Sequence, residues 1–336
     1  MAVVTIGVPS AEASCQALHE LLAHGPSAAG LDDWEQAIWR YGRAAKDRPP
    51  SLMLADLVAD FDSLVPVMTI CRSSAALRRL TRVAAQLAGL VCLTLIKLDD
   101  RTAFRRWART ARLAAAEVDD PATQAWVLAQ EAYGHFYSRD LHEAITVSEE
   151  AQALLLASST RHVGNGAVGG ALAAALEARA QAAFGRADAT QAALRRTEQM
   201  LACLEQPTAL TAFGYDEAQL RFHESNALAH LGDVAGAWSA QERALELVAA
   251  DDYMDRSMTL LDRALCVLHG GDPATAMTLG RDCLLSLSHE QRRGIIAGRA
   301  WQVLESVPVT VRQHPATVEL HELLMTTTAR SKDVLS

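Results

Sequence analysis

Histidines and carboxylates at close spacing are the first places to look for chemistry, and most of them here fail a geometric test. His19-Glu20-Leu21-Leu22-Ala23-His24 has the residue types of a zinc-binding helix. Its histidines are five apart, about 140° around a helix, whereas two ligands on one face need a spacing of four. The pairs His142-Glu143, His223-Glu224, His289-Glu290 and His321-Glu322 are sequence neighbours, which point apart on a helix. Neither a Gly-Lys-Ser/Thr phosphate loop nor a Gly-x-Ser-x-Gly elbow occurs. The glycines between Gly164 and Gly170 follow no strand pattern and read as a conformational loop. No metal and no cofactor is expected.

A different group of side chains has the chemistry of recognition. Trp126, Tyr133, Phe136 and Tyr137 lie in one segment, Glu177, Gln181 and Phe184 in a second, and Gln219, Phe222, Asn226 and His230 in a third. Rings supply contact area, and amides fix orientation by paired hydrogen bonds, which suits a peptide or a mid-sized organic ligand. The same rings could equally fill a core. If the site is catalytic, Glu177, His223, His230 and Tyr133 are the acid–base candidates for a cofactor-independent cyclase or isomerase.

What groups these residues is a repeat. Asp99…Ala103, Asp140…Ala144, Asp188…Ala192, Asp233…Ala237 and Asp272…Ala276 each stand between two helical patterns, with Ala-to-Ala steps of 41, 48, 45 and 39 residues. A Gly or its substitute closes one helix, Asp caps the next, and a small residue one turn in lets two backbones approach. In a stack of such helix pairs the first helix of each lines the inner face. Counting back 18, 15, 11, 8 and 7 residues from each signature Ala yields the candidate binding set.

Gly232-Asp233-x-x-x-Ala237 with Ala244, and Gly271-Asp272-x-x-x-Ala276, resemble the tetratricopeptide repeat, over about residues 75–305. The period is longer than in that family, and the regular Trp-x-x-Leu-Gly opening and terminal Pro are missing. The resemblance implies an all-α fold, a right-handed superhelical array of antiparallel helix pairs. Residues 1–30 read as a short helix and a linker, 31–74 as a helical cap broken at Pro49-Pro50 and Pro66, 75–325 as five helix pairs, and 326–336 as a frayed tail.

A second resemblance rests on Leu31-Asp32-Asp33-Trp34-Glu35 with Tyr41-Gly42, on Pro49-Pro50-Ser51-Leu52-Met53-Leu54, on Trp107, and on Asp119-Asp120-Pro121-Ala122-Thr123-Gln124-Ala125-Trp126. Together these resemble the C-terminal helical-repeat sensor region of actinobacterial helix-turn-helix regulators of the xenobiotic-response-element class. That family implies transcriptional control. Thirty residues before the matching segment cannot hold a DNA-reading domain, so no direct nucleic-acid binding is expected from this chain alone.

Bulk composition agrees with helices. Ala and Leu make up roughly a third of the 336 residues, and aromatics only 5%. The net charge of −9 conceals a segment from Arg72 to Arg112 with ten Lys/Arg and two Asp. Arg101, Arg105, Arg109 and Arg112 fall on one helical side, either as a solvated face or as a docking surface for an acidic partner or for DNA held by a partner. Six scattered cysteines, no basic leader and a longest apolar run of 14 residues (Val83 to Ile96) point to a cytoplasmic protein without a membrane span. The expected function is a regulatory sensor or scaffold. It takes a small-molecule or peptide ligand on its inner face and acts through a protein partner, with monomer and homodimer both open. The alternatives are the enzyme above and a pure assembly scaffold.

Overall fold

A computed structural model describes Ala13, Cys15, Gln16 and residues 27–157, 165–204 and 211–333. The His19–His24 segment and most of the expected N-terminal helix lie outside the described residues. Among those described there are fourteen α-helices, one 3-10 turn and no strand.

Two helices come first, α1 (Ala28–Ala44) and α2 (Pro50–Ile70). The expected linker ends early, because the Ser27 hydroxyl accepts from the Gly30 N–H at 3.1 Å and starts α1 inside it. Pro50 opens α2 at its first position, where a missing N–H costs nothing. Pro66, expected to break the helix, sits inside it. It is exposed, so water can satisfy the carbonyl that its ring leaves free.

Five helix pairs follow. They are α3 (Ser74–Lys97) with α4 (Arg101–Ala116), α5 (Pro121–Tyr137) with α6 (Leu141–Ala157), α7 (Asn165–Ala183) with α8 (Ala187–Ala202), α9 (Glu217–Leu231) with α10 (Val234–Leu247), and α11 (Tyr253–His269) with α12 (Pro273–Leu285). Helices α13 (Ile295–Glu305) and α14 (Pro315–Asp333) close the chain, so the C-terminal stretch read as frayed is helical to Asp333.

One turn joins the members of every pair. Asp99, Arg139, Gly185, Gly232 and Gly271 all have left-handed φ, between 57° and 91°. Each of their N–H groups donates to the carbonyl three residues back, and the next N–H donates five residues back, at 2.8–3.2 Å. This is the Schellman arrangement, which satisfies the last carbonyls of the first helix and reverses the chain within two or three residues. Such short reversals set the paired helices antiparallel.

The signature Asp is the cap only in part. Asp233 and Asp272 accept from Gly236 N and Thr275 N, but in the first pair the cap is Asp100, which accepts from Ala103 N. In the third pair Arg186 stands at the cap and Asp188 is two residues further on. The buried residue four past that cap is Thr190, where Ala192 was expected.

Helices α3, α5, α7, α9, α11 and α13 pack successively on one another, and each second helix packs on the first helix of the next pair. Helix α13 also touches α3. The Gly-rich segment read as a loop forms the start of α7 from Asn165 onward. A Cβ on Gly169 would lie 2.6 Å from the Trp126 backbone nitrogen, so the glycine lets α7 meet α5 backbone to backbone. Helix α3 is, by length and composition, the one described helix that could cross a membrane, and 67% of its most apolar window is buried inside the protein.

Candidate functional site

Several polar residues of the first helices, Arg179, His223, Asn226 and Asp262 among them, are buried, and cavities remain between these helices.

One cavity, of about 230 Å³, lies at the edge where the turns of the pairs meet α13. Phe136 and Tyr137 come from α5, Arg179 and Ala183 from α7, Asn226 and His230 from α9, Met258 from α11, and Arg299 with Gln302 from α13. The turns contribute Asp99 and Arg139, and the first residue of α4 contributes Arg101. The lining therefore draws on all five pairs or on helices packed against them, from residue 99 to residue 302.

Arg179 is the centre of this site. It is 1% exposed, and its guanidinium carbon lies 4.2 Å from the centroid of Phe136, with Tyr137 and Phe222 each at 5.4 Å. Its Nε donates to Asn226 Oδ1 at 2.9 Å, and Asn226 Nδ2 donates to Asp262 Oδ2 at 2.8 Å. Asp262 in turn is ion-paired with Arg299, which donates to Gln302 Oε1 at 2.6 Å. The remaining partners of Arg179 are neutral: His223 Nδ1 at 3.3 Å and Tyr137 Oη at 3.4 Å. Burial and the neighbouring guanidinium hold His223 well below the usual histidine range. Its Nδ1 is therefore assigned as an acceptor for Arg179.

A second polar cluster lies behind Phe222. Lys46, from the α1–α2 connection, reaches Asp252, the cap of α11, at 3.0 Å and Asp255 in its first turn at 3.3 Å. A cavity of about 200 Å³ lies beside it, lined among others by Asp216, Gln219 and Phe222. With its amide oriented to satisfy both neighbours, Gln219 donates to Gly214 O (3.2 Å) and accepts from Lys46 Nζ (3.3 Å). A smaller space of about 60 Å³ adjoins Tyr133, His223 and Lys97. Lys97 donates to Ala45 O, and burial lowers its pKa.

The sequence-predicted residues separate accordingly. Phe136, Tyr137, Asn226 and His230 share the arginine-lined cavity; Tyr133, Gln219 and Phe222 face the spaces around Lys46. Trp126 is 4% exposed at the far end of α5, where its indole N–H donates to Ala212 O at 2.8 Å. It borders a separate cleft with Trp39 and Phe213.

Glu177 and Gln181 are corrections. Glu177 accepts from Gln152 at 2.8 Å and Arg196 at 2.6 Å, and Gln181 accepts from Arg186 at 3.1 Å; neither lines any of the four spaces described above. The cause is the misplaced cap in the third pair. Counting from Arg186 in place of Asp188 shifts the inner positions by two, and Gln181 becomes Arg179. Arg179 then occupies the same place in its repeat as Tyr133 and Asn226. The acid–base set is divided too: Tyr133 and His223 share one space, His230 lies in another cavity, and Glu177 is ion-paired elsewhere.

The basic face of α4 is likewise split. Arg112 is bound by Glu131 and Glu150, both at 2.8 Å, and Arg101 pairs with Asp99 at 3.0 Å. Arg105 and Arg109 are exposed. Arg139, Asp262, Arg299 and Lys46 were not among the sequence candidates. Arg179 carries a usable signal, since α7 is alanine-rich on every side and a helix apolar all round is buried with whatever cation it holds.

Among the described residues no three His, Cys, Asp or Glu side chains cluster as a metal site. Comparison with protein-family models, with curated proteins and with solved structures returned no match.

Proposed function

We propose that the chain is a ligand-binding regulatory protein, a superhelical array of helix pairs that takes a small molecule between its first helices and signals through a protein partner. The observation that carries this reading is the composition of the arginine-lined cavity. One small space is walled by turn residues of the first two pairs and by α13, more than 150 positions later. A molecule filling it contacts both ends of the array at once, and it favours whichever curvature makes those contacts. At about 230 Å³ the space is at the small end for organic ligands, which favours a small molecule over a peptide. The resemblance to helix-turn-helix regulators supports a regulatory setting, with DNA reading supplied elsewhere.

Native mass spectrometry of protein purified from its source cells tests this, alongside Ala183→Trp, which fills the cavity. A bound small molecule in the wild type that is lost in the variant is the expected result. Ligand-free protein, together with no change in small-angle scattering on adding cell extract, would overturn it. The enzyme reading has less support, because only Tyr133 and His223 of the four acid–base candidates share a space, and burial keeps both from ionising near neutral pH.

A further inference from the structure

We propose that the arginine-lined cavity is an anion site, and that Arg139 and Arg179 recognise a small organic molecule through its carboxylate or phosphate group. This rests on the ligand-binding reading above and specifies the chemistry of the ligand.

The first observation is charge. Four guanidiniums, those of Arg101, Arg139, Arg179 and Arg299, line the cavity. Two carboxylates answer them: Asp99 pairs with Arg101, and Asp262 pairs with Arg299. Arg139 and Arg179 have no carboxylate partner among the described residues. This positive excess stands in a chain whose net charge is −9.

The aromatic ring contacts do not neutralise Arg179. Cation–π attraction is weak beside the cost of withdrawing an unpaired charge from water. Its hydrogen bonds go to an amide, a neutral imidazole and a phenol, which satisfy donors without supplying negative charge. An anion would supply both.

Helix dipoles give no alternative source of negative potential. The C-terminal ends of α3, α5, α7 and α9 reach this edge, but each is joined by a short turn to the N-terminal end of its antiparallel partner. The two ends carry opposite partial charges of about half a unit, and they largely cancel.

The second observation is backbone conformation, and it is independent of charge. Three of the five Schellman turns place Gly at the left-handed position, and the other two place Asp99 and Arg139 there. A side chain in that conformation is strained, because its Cβ crowds the following carbonyl oxygen. Both exceptions line this cavity. Arg139 has φ 65° and, among the described residues, no ion pair that would offset the cost. A strained residue kept where glycine would serve the fold better points to a role in binding.

The test uses calorimetric titration of the full chain with phenyl phosphate, benzoate, the neutral benzamide and the cationic benzylamine. Phenyl phosphate or benzoate should bind at least about tenfold more tightly than benzamide, and whichever binds more tightly identifies the group recognised. Arg139→Gly should weaken the anion about tenfold while leaving the melting temperature unchanged or higher, a combination that a purely structural arginine would not give. Ala183→Trp should abolish binding of every probe.

Benzamide or benzylamine binding as tightly as the anions, and still blocked by Ala183→Trp, would overturn the anion site while leaving a ligand cavity intact. Anion binding that Arg139→Gly and Ala183→Trp both leave unchanged would overturn the site at this location. Failure of both anions to bind at about millimolar concentration would overturn it as well. The ligand-binding reading is judged separately, by the mass spectrum.

Discussion

Arg179 and Asp262 are held apart by one amide: Asn226 accepts from the guanidinium through Oδ1 at 2.9 Å and donates to the carboxylate through Nδ2 at 2.8 Å. A direct ion pair would have neutralised Arg179. The amide bridge passes hydrogen bonds between α7, α9 and α11 while leaving the arginine charged. Asn226→Ala removes both bonds and leaves a buried donor and a buried carboxylate oxygen without partners. The expected cost is about 3–5 kcal/mol in urea unfolding, because both groups are charged and desolvated. A loss below about 1 kcal/mol would mean that water replaces the amide without difficulty.

Glycines in α7 give a sharper packing test, since two neighbours should respond differently. Gly169→Ala drives a Cβ onto Trp126 backbone, which cannot rotate away. The gain of about 1 kcal/mol in helix propensity should be outweighed by overpacking of about 1–3 kcal/mol. At Gly170 the Cβ would meet the flexible ends of Leu155 and Met200 at 2.6 and 2.9 Å. Gly170→Ala should therefore be close to neutral, and denaturant midpoints of the two variants would separate the cases.

Acid should destabilise the fold through His223. Burial and Arg179 hold its pKa well below the ordinary value when folded, so the unfolded chain takes up this proton first as pH falls. Stability from this residue is complete above about pH 6.5, and below that it is lost at about 1.4 kcal/mol per pH unit until the folded-state pKa is reached. His223→Gln can still accept from Arg179 but does not titrate. Its melting temperature should fall less than that of the wild type between neutral pH and mild acid, and parallel curves would rule the histidine out as the cause.

Thiol reactivity should follow burial. Cys15 and Cys203 are exposed, Cys71 is half-buried, and Cys92, Cys266 and Cys283 are buried. Burial pushes the Cys283 thiol up to about 11 and raises Cys92 as well. A thiol reagent at mildly alkaline pH should modify Cys15 and Cys203 rapidly and Cys71 more slowly, with the other three reacting only on unfolding. Rapid reaction of Cys92 would be incompatible with the packing around α3.

Much of the architecture is readable from short-range sequence, because a Schellman turn is a local structure with a local signature. Asp233 and Asp272 follow glycines that must be left-handed, and both turns are found where that pattern puts them. The signature misleads where another residue takes over one of its parts. Arg186 replaces the capping Asp of the third pair, and that displacement moves the inner-face count from Arg179 to Gln181. Gly169 and Gly170 mislead for a related reason: glycine can mark a loop or a close helix crossing, and only the partner helix distinguishes them. The polar chain from Arg179 through Asn226 and Asp262 to Arg299 spans four helices distant in sequence, so no local pattern announces it.

The contact between α13 and α3 brings residues near Gly294 against the end of α3 at Lys97, in the first pair. An open repeat array unfolds piecemeal, because each unit leans only on its neighbours. Once the last units also lean on the first, none can melt without exposing another's buried surface. This chain should therefore denature in a single cooperative step, and cutting off α13 and α14 should loosen the distant first pair as well as the local end.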